Sequence, residues 1–281
     1  IRLMSFELPD NMYRHYPGPK FGRQGIRELC GIEKGPILMS ALKPLGRSAK
    51  DFGETAYKLA LGGCPLIKDD HSLFNQSYAP FKDRVKACVD SVNNANAKTG
   101  GRSLYIANCT ADSMEFLERA MTAQELGAGG IMAAPGLLGL SIIRELSSAP
   151  DFHLPIFLHP CFSGPLVLSA DSGISPFCCY GQFSRLAGAD AAIFTSFGGR
   201  FPFTEEVCRK ICDGTETEMG GLRSIFPVPS GGMKWQLFKK MVQVYGPDAI
   251  FLVGGALLTE SDDLTANMHF YFEKLNEAVN K

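Results

Sequence analysis

Gly62-Gly63-Cys64-Pro65-Leu66-Ile67-Lys68-Asp69-Asp70-His71 is a short apolar run that stops at four consecutive ionisable residues. Residues 64–67 read as a buried strand. Side chains alternate along a strand, so Lys68 and Asp70 leave it on the same face. His71 stands where the strand passes into a loop. Ionisable groups at the mouth of a buried strand carry a desolvation cost unless they pair, bind a metal ion or meet a substrate phosphate. A surface turn in which Lys68 pairs with an aspartate would satisfy the same residues. The rest of the chain speaks against the turn, because the same layout recurs.

Outward from this stretch, apolar runs at residues 37–42, 104–107, 130–133, 156–158, 191–194, 224–228 and 250–253 read as further strands. Helical patterns fall between them, at 48–61, 79–97, 111–126, 139–147, 176–187, 204–212, 232–245 and 261–280. Ser48 and Thr110 are placed to cap two of these helices. Strand and helix in alternation mean a parallel sheet with right-handed crossovers. Eight such units predict an α/β fold of the closed (β/α)8 TIM barrel type. An open doubly wound sheet would show a glycine-rich turn after its first strand, where Lys43-Pro44-Leu45-Gly46 stands instead. Residues 1–35, rich in Pro, Gly and Arg with a short helix near 24–30, read as a lead-in segment, and residues 36–281 as the barrel.

The 281 residues suit one such barrel, and 45% apolar with 20% charged residues is ordinary for a globular protein. With 28 basic and 29 acidic residues there is no basic block to attract nucleic acid or an anionic membrane. No stretch is long and apolar enough to span a bilayer, and no signal peptide is visible. The nine cysteines are scattered and odd in number, which reads as reduced thiols of a cytoplasmic protein. Cys208 and Cys212 lie one helical turn apart, but no second pair completes a zinc site.

A (β/α)8 barrel builds its active site at the carboxyl ends of its strands. Those ends carry Lys43, then Lys68, Asp70 and His71, then Asn108 and Thr110, then His159 after the fifth strand. The sixth leads to Phe197-Gly198-Gly199-Arg200, the seventh to Ser230-Gly231-Gly232 and the eighth to Gly254-Gly255. Each residue has an ordinary alternative: a solvated loop lysine, a capping asparagine, a hydrogen-bonded core histidine. Their shared position favours a site. Gly231-Gly232, opening a helix, and Gly254-Gly255 fall where this fold places a phosphate, because glycine lets backbone N–H groups approach an anion closely.

These residues resemble the barrel domain of a RuBisCO-like protein, a form IV member of the RuBisCO large-chain superfamily. The resemblance runs through nearly the whole chain and rests on Lys43-Pro44, Leu45-Gly46, Gly62-Gly63, Lys68-Asp69-Asp70, Asn75-Gln76, Asn108-Cys109-Thr110, Pro227-Val228-Pro229-Ser230-Gly231-Gly232 and Gly254-Gly255. It implies that Lys68 takes up CO2 as a carbamate and, with Asp70, binds one Mg2+ ion. It implies an acid/base role for Lys43, substrate contact for His159, and a substrate and phosphate lining made of Asn108, Arg200, Ser230, Gly231, Gly232, Gly254 and Gly255. The family's third metal ligand is a glutamate. His71 replaces it here, supplies one charge less and suits a softer divalent metal. The resemblance further implies an N-terminal α+β domain outside this sequence, a truncated or partial chain, and a homodimer or an oligomer of dimers.

The departures are chemical. Where carboxylating members hold CO2 with a loop lysine, Arg200 stands; where they grip a second phosphate with arginine, Pro160 stands; and Ile193 replaces a histidine. They predict a substrate with one phosphate and no CO2 fixation. The predicted activity is a metal-stabilised enediolate formed from a phosphorylated keto-sugar, in an isomerase or enolase-type tautomerisation. The alternatives are a decarboxylating lyase acting on a phosphorylated sugar acid, and a barrel that binds without catalysis.

Overall fold

The computed structural model describes residues 1–199 and 201–280. Its centre is an eight-stranded parallel sheet. The strands are β1 Ile37–Leu42, β2 Leu66–Asp69, β3 Leu104–Asn108, β4 Gly130–Ala133, β5 Ile156–Leu158, β6 Ala191–Thr195, β7 Phe226–Ser230 and β8 Ile250–Leu252. The hydrogen-bonded order is β8-β1-β2-β3-β4-β5-β6-β7, and β7 and β8 lie side by side. The sheet thus curls into a nearly closed (β/α)8 barrel. Helices wrap it, among them α1 Ala49–Leu61, α2 Phe81–Thr99 and α3 Ser113–Glu125.

Strands buried on both faces must be apolar on both. Ile37, Met39, Leu66, Ile106, Met132, Phe157, Ile193, Val228 and Ile250 form the inner core of the barrel. Leu38, Leu42, Ile67, Tyr105, Ile131, Leu158 and Phe194 join the core between sheet and helices. The period of two that sorts these residues also aims the next inward position of each strand into the open end.

The lead-in segment closes the opposite end. Its helix, Gly22–Cys30, sends Ile26 and Cys30 into the inner core, with Phe21 and Ile32 packed alongside. Asp190, just ahead of β6 and 1% exposed, accepts N–H bonds from Phe21 at 2.7 Å, Gly22 at 2.8 Å and Ile156 at 2.9 Å. Burial raises its pKa to about 6 although the three N–H groups act in the other direction. Farther upstream, Arg2–Leu3 pairs in parallel with Gly173–Ile174.

Several boundaries differ from the sequence reading, each for a local reason. The second strand begins at Leu66, not at residue 64, because the Cys64 N–H still bonds back to Leu59 of α1. Ser48 caps α1 in a reciprocal box with Asp51. Thr110 caps nothing: its hydroxyl donates to Asn108 Oδ1 and accepts from Ala134 N–H, and α3 starts at Ser113. No helix opens at Gly231-Gly232. Both have a left-handed φ, +87° and +88°, and the first helical turn there is Trp235–Leu237. All nine cysteines are free thiols. Among the described residues no helix is long and apolar enough to cross a membrane.

Asp190→Ala leaves three N–H groups without an acceptor, those of Gly22 and Ile156 buried and that of Phe21 partly so, at about 1–3 kcal/mol for each buried group. Urea unfolding should show a loss of roughly 3 kcal/mol or more. A loss below about 1 kcal/mol would mean that the lead-in helix is held by packing alone.

Candidate functional site

A cavity of about 760 Å³ opens at the carboxyl ends of the strands. It brings together Lys43, Lys68, Asp70, His71, His159, Ser230, Gly231, Gly232, Gly254 and Gly255 from five different strand ends. Arg200 lies outside the described residues. Asn108 is not in the lining. It is 1% exposed, and its amide donates to the carbonyls of His71 at 3.0 Å and Leu73 at 3.1 Å. Its Oδ1 accepts from Thr110. The side chain is therefore engaged with protein partners on both sides, as a brace under the loop after β2.

Lys68 follows Leu66 on the inward face of β2 and is 2% exposed. Among the described residues no carboxylate pairs with it. Its ammonium donates to the main-chain oxygen of Asp69 at 2.9 Å. Burial, opposed by the charges of Asp70 and Asp69 and assisted by Lys43, lowers its pKa to about 8. A value near 8 leaves roughly one amine in ten uncharged at pH 7. The turn in which Lys68 pairs with an aspartate is thus not what forms.

Asp70, the next inward residue, pairs instead with Lys43, Nζ to Oδ2 2.9 Å. Its Oδ1 accepts the Ser72 N–H at 3.0 Å and lies 3.5 Å from His71 Nδ1. Burial opposes its charge, but the Ser72 N–H, Lys43 and His71 outweigh burial and hold the carboxyl below its usual range. Lys43 keeps 43% of its side chain exposed and so reaches from solvent into the cavity.

His71 lies flat against His159, with ring centres 4.5 Å apart and planes 9° from parallel. The Cys161 N–H donates to His159 Nδ1 at 3.1 Å, which puts the imidazole proton on Nε2. Burial first, then Lys68 and His71, push the His159 pKa well below the ordinary value, so the ring is neutral at pH 7.

The ends of β7 and β8 add two glycine turns to the same cavity. A Cβ at Gly254 or Gly255 would meet nothing within 4 Å; the open space belongs to the cavity. Gly255 opens a helix of only four residues, so the backbone N–H groups, not a long helix dipole, are what this end offers an anion. The Ser230 hydroxyl donates to Phe194 O at 2.9 Å. Gly199, in the loop after β6, comes so near the Gly231 carbonyl that a Cβ there would sit at 2.3 Å.

The remaining wall was not foreseen from the sequence. Val167, Leu168, Tyr180, Phe201, Phe203 and Met233 make one side of the cavity apolar, and Thr195 and Lys234 add polar groups. Thr195 was within reach, since it continues the inward series Ala191, Ile193. Lys234 directly follows the glycine turn. The apolar residues lie in the connections that follow β5, β6 and β7, Val167 on the helix Gly164–Val167 and Tyr180 on Phe177–Phe183, and no periodicity reports that these pack over the cavity.

As unmodified side chains, Lys68, Asp70 and His71 do not suit a divalent cation: they offer one carboxylate, an amine and an imidazole. Among the described residues no group of three His, Cys, Asp or Glu could hold a metal. A carbamate on Lys68 would change the set to two anionic oxygen donors and one nitrogen, which does suit one.

Comparison with known proteins adds the following. The family model of the ribulose bisphosphate carboxylase large chain, catalytic domain, matches residues 22–267. The chain is 35% identical over 94% of its length to 5-methylthioribulose-1-phosphate isomerase of Rhodospirillum rubrum, covering 69% of that protein. It is 36% identical over 92% of its length to 2,3-diketo-5-methylthiopentyl-1-phosphate enolase of Geobacillus thermodenitrificans, covering 62% of it. Octameric ribulose-1,5-bisphosphate carboxylase/oxygenase of Pyrococcus horikoshii superposes with a TM-score of 0.94 at 26% identity, over 99% of this chain and 66% of that one. The chain spans about two thirds of the length of the relatives it matches, 62–69% for the two enzymes of known sequence.

The depressed pKa of Lys68 makes stability pH-dependent. Between about 8 and 10.5 the folded protein binds fewer protons than the unfolded chain, so this residue's contribution rises with pH across that window. The gain is about 3 kcal/mol. Urea unfolding at pH 7.5 and 10 should show it as a difference between the protein and Lys68→Met. Parallel pH profiles would mean that Lys68 is solvated and ordinary.

Proposed function

The chain belongs to the RuBisCO large-chain family, within its RuBisCO-like branch, and on that basis we propose that it is an enolising enzyme that does not fix CO2. Its substrate is a phosphorylated keto-sugar of the class named for its relatives, and its reaction is an isomerase- or enolase-type tautomerisation. The observation that supports this reading best is one cavity that gathers the ionisable groups Lys43, Lys68, Asp70, His71 and His159 with two glycine turns and an apolar wall.

A ketone beside a C–H bond loses its proton when a base is at hand and the developing oxyanion is stabilised. Lys68 supplies the base function through its uncharged amine or the carbamate oxygens that amine can form. Lys43, ion-paired with Asp70, presents an ammonium that donates to an oxygen or returns a proton to carbon. His159, neutral and protonated on Nε2, donates a hydrogen bond to a substrate oxygen. The phosphate lies at Gly231-Gly232 and Gly254-Gly255, with Lys234 alongside. Pro160 stands where the carboxylating members carry an arginine, and among the described residues neither it nor its cavity neighbour Leu168 offers a cation for a second phosphate.

Carbamylated Lys68, Asp70 and His71 would hold one Mg2+ ion, or a softer divalent ion favoured by the imidazole. When bound, it supplies Lewis-acid stabilisation of negative charge on the substrate oxygens. We place the protein in the cytoplasm as a homodimer or an oligomer of dimers, with a small phosphorylated molecule as its substrate and neither nucleic acid nor membrane as a partner.

Solvent-deuterium wash-in followed by NMR, with Mg2+ and bicarbonate present, tests the reaction on 5-methylthioribulose 1-phosphate and 2,3-diketo-5-methylthiopentyl 1-phosphate. Exchange should occur at a carbon next to the carbonyl and fall by about 100-fold or more in Lys68→Ala, the scale on which loss of a positioned base is felt. Exchange that is equal in Lys68→Ala, or carboxylation of ribulose bisphosphate, would contradict the proposal.

A further inference from the structure

Asp69 separates the two site residues Lys68 and Asp70 and points the other way, out of the cavity and 0% exposed. Its Oδ1 accepts the Tyr105 hydroxyl at 2.8 Å. Its Oδ2 accepts the Asn108 N–H at 3.0 Å and Arg84 Nε at 3.2 Å. Arg84, on α2 and equally buried, sends its remaining N–H groups to Ala79 O at 3.0 Å, Leu73 O at 3.4 Å and Phe74 O at 2.9 Å. All three carbonyls belong to the loop that leaves β2 and carries His71. The Asn108 amide holds one more acceptor of that loop, His71 O, and shares Leu73 O with Arg84.

We propose that Asp69 and Arg84 are positioning residues for the reaction in the cavity. The Asp69 carboxylate fixes the strand end from which Lys68 and Asp70 project, and through Arg84 and Asn108 it fixes the loop that stacks His71 on His159. This rests on the enolisation reading, because it assigns the pair to that site's geometry.

Stability alone is a weak reason for this arrangement. A fully buried ion pair gives up hydration on both partners, and an apolar pair of similar volume holds helix to sheet as well or better. What an apolar pair lacks is direction. Beyond their own contact the two residues make five directed hydrogen bonds, two accepted by Asp69 and three donated by Arg84. Every Arg84 acceptor other than Asp69 is a main-chain oxygen within residues 73–79, a stretch with no helix and no ladder to a barrel strand. Ligand-bearing loops held by outer hydrogen bonds lose roughly 10–100-fold in function when those bonds are removed.

The test compares Asp69→Asn and Arg84→Lys with Asp190→Asn, which disturbs an equally buried carboxylate at the far end of the barrel. In Asp69→Asn the amide turns one acceptor into a donor that faces a donor. In wash-in assays kcat should fall roughly 10–100-fold while KM stays within about 3-fold, because the phosphate end is carried by other strands. Arg84→Lys should fall less, and Asp190→Asn should lower the melting temperature and leave kcat alone. Independently of activity, the ring-proton NMR signals of His71 and His159 carry the mutual ring-current shift of stacked rings. They should move in Asp69→Asn and Arg84→Lys and not in Asp190→Asn. Moved signals in a protein that enolises none of the substrates would reject the enolisation reading and retain the bracing. Unmoved signals, or a kcat loss in Asp69→Asn no larger than in Asp190→Asn, would overturn the proposal.

Discussion

A buried amine without a carboxylate of its own is the constraint on which the site depends. Lys68 sits at the inward end of β2 and, among the described residues, has only a main-chain oxygen for a partner, while the next inward carboxylate, Asp70, is taken by Lys43. A charge in that position is poorly compensated, and the lowered pKa expresses the imbalance. An amine that loses its proton near neutral pH is a nucleophile and a base, whereas an exposed lysine is neither. Lys43 completes the arrangement by drawing Asp70 toward itself instead of letting it neutralise Lys68.

The barrel makes this imbalance affordable. Lys68 stands above an inner core of Leu66, Ile106 and Met132, and the ladder pairs it with Ala41 on one side and Ile106 on the other. Neither neighbour brings a countercharge. The same rigid sheet brings His159 and the glycine turns to the same opening, so that an acid, a base and an anion-binding turn face one space. The lead-in helix and Asp190 seal the opposite end, which keeps the chemistry on one face.

Much of this was legible because a strand has a period of two. Once residues 66 and 106 are inward, Lys68 and Asn108 are too, and the same rule gives Lys43, His159, Ser230 and Gly254. The rule assigns a direction and not a partner. Asn108 is inward, but the loop above it takes its amide, and that loop's carbonyls are held by Arg84, fifteen residues beyond Asp69. The supposed helix start at Gly231-Gly232 failed for a related reason. Glycine permits the left-handed turn that both residues adopt, and nothing in the local pattern separates that turn from a helix cap. In the apolar wall Val167 and Tyr180 stand on the helices Gly164–Val167 and Phe177–Phe183 and Phe203 in the loop after β6, and only tertiary packing determines that they meet over the barrel.

The most direct measurement is 13C NMR of the protein equilibrated with 13C-labelled bicarbonate near pH 8, with and without Mg2+. The account predicts a carbamate resonance that is absent from Lys68→Met and strengthened by Mg2+, because a cation bound by the carbamate draws more amine into that form. A spectrum identical to that of Lys68→Met under both conditions would contradict it, and would leave Lys68 an amine that neither takes up CO2 nor helps to hold a metal.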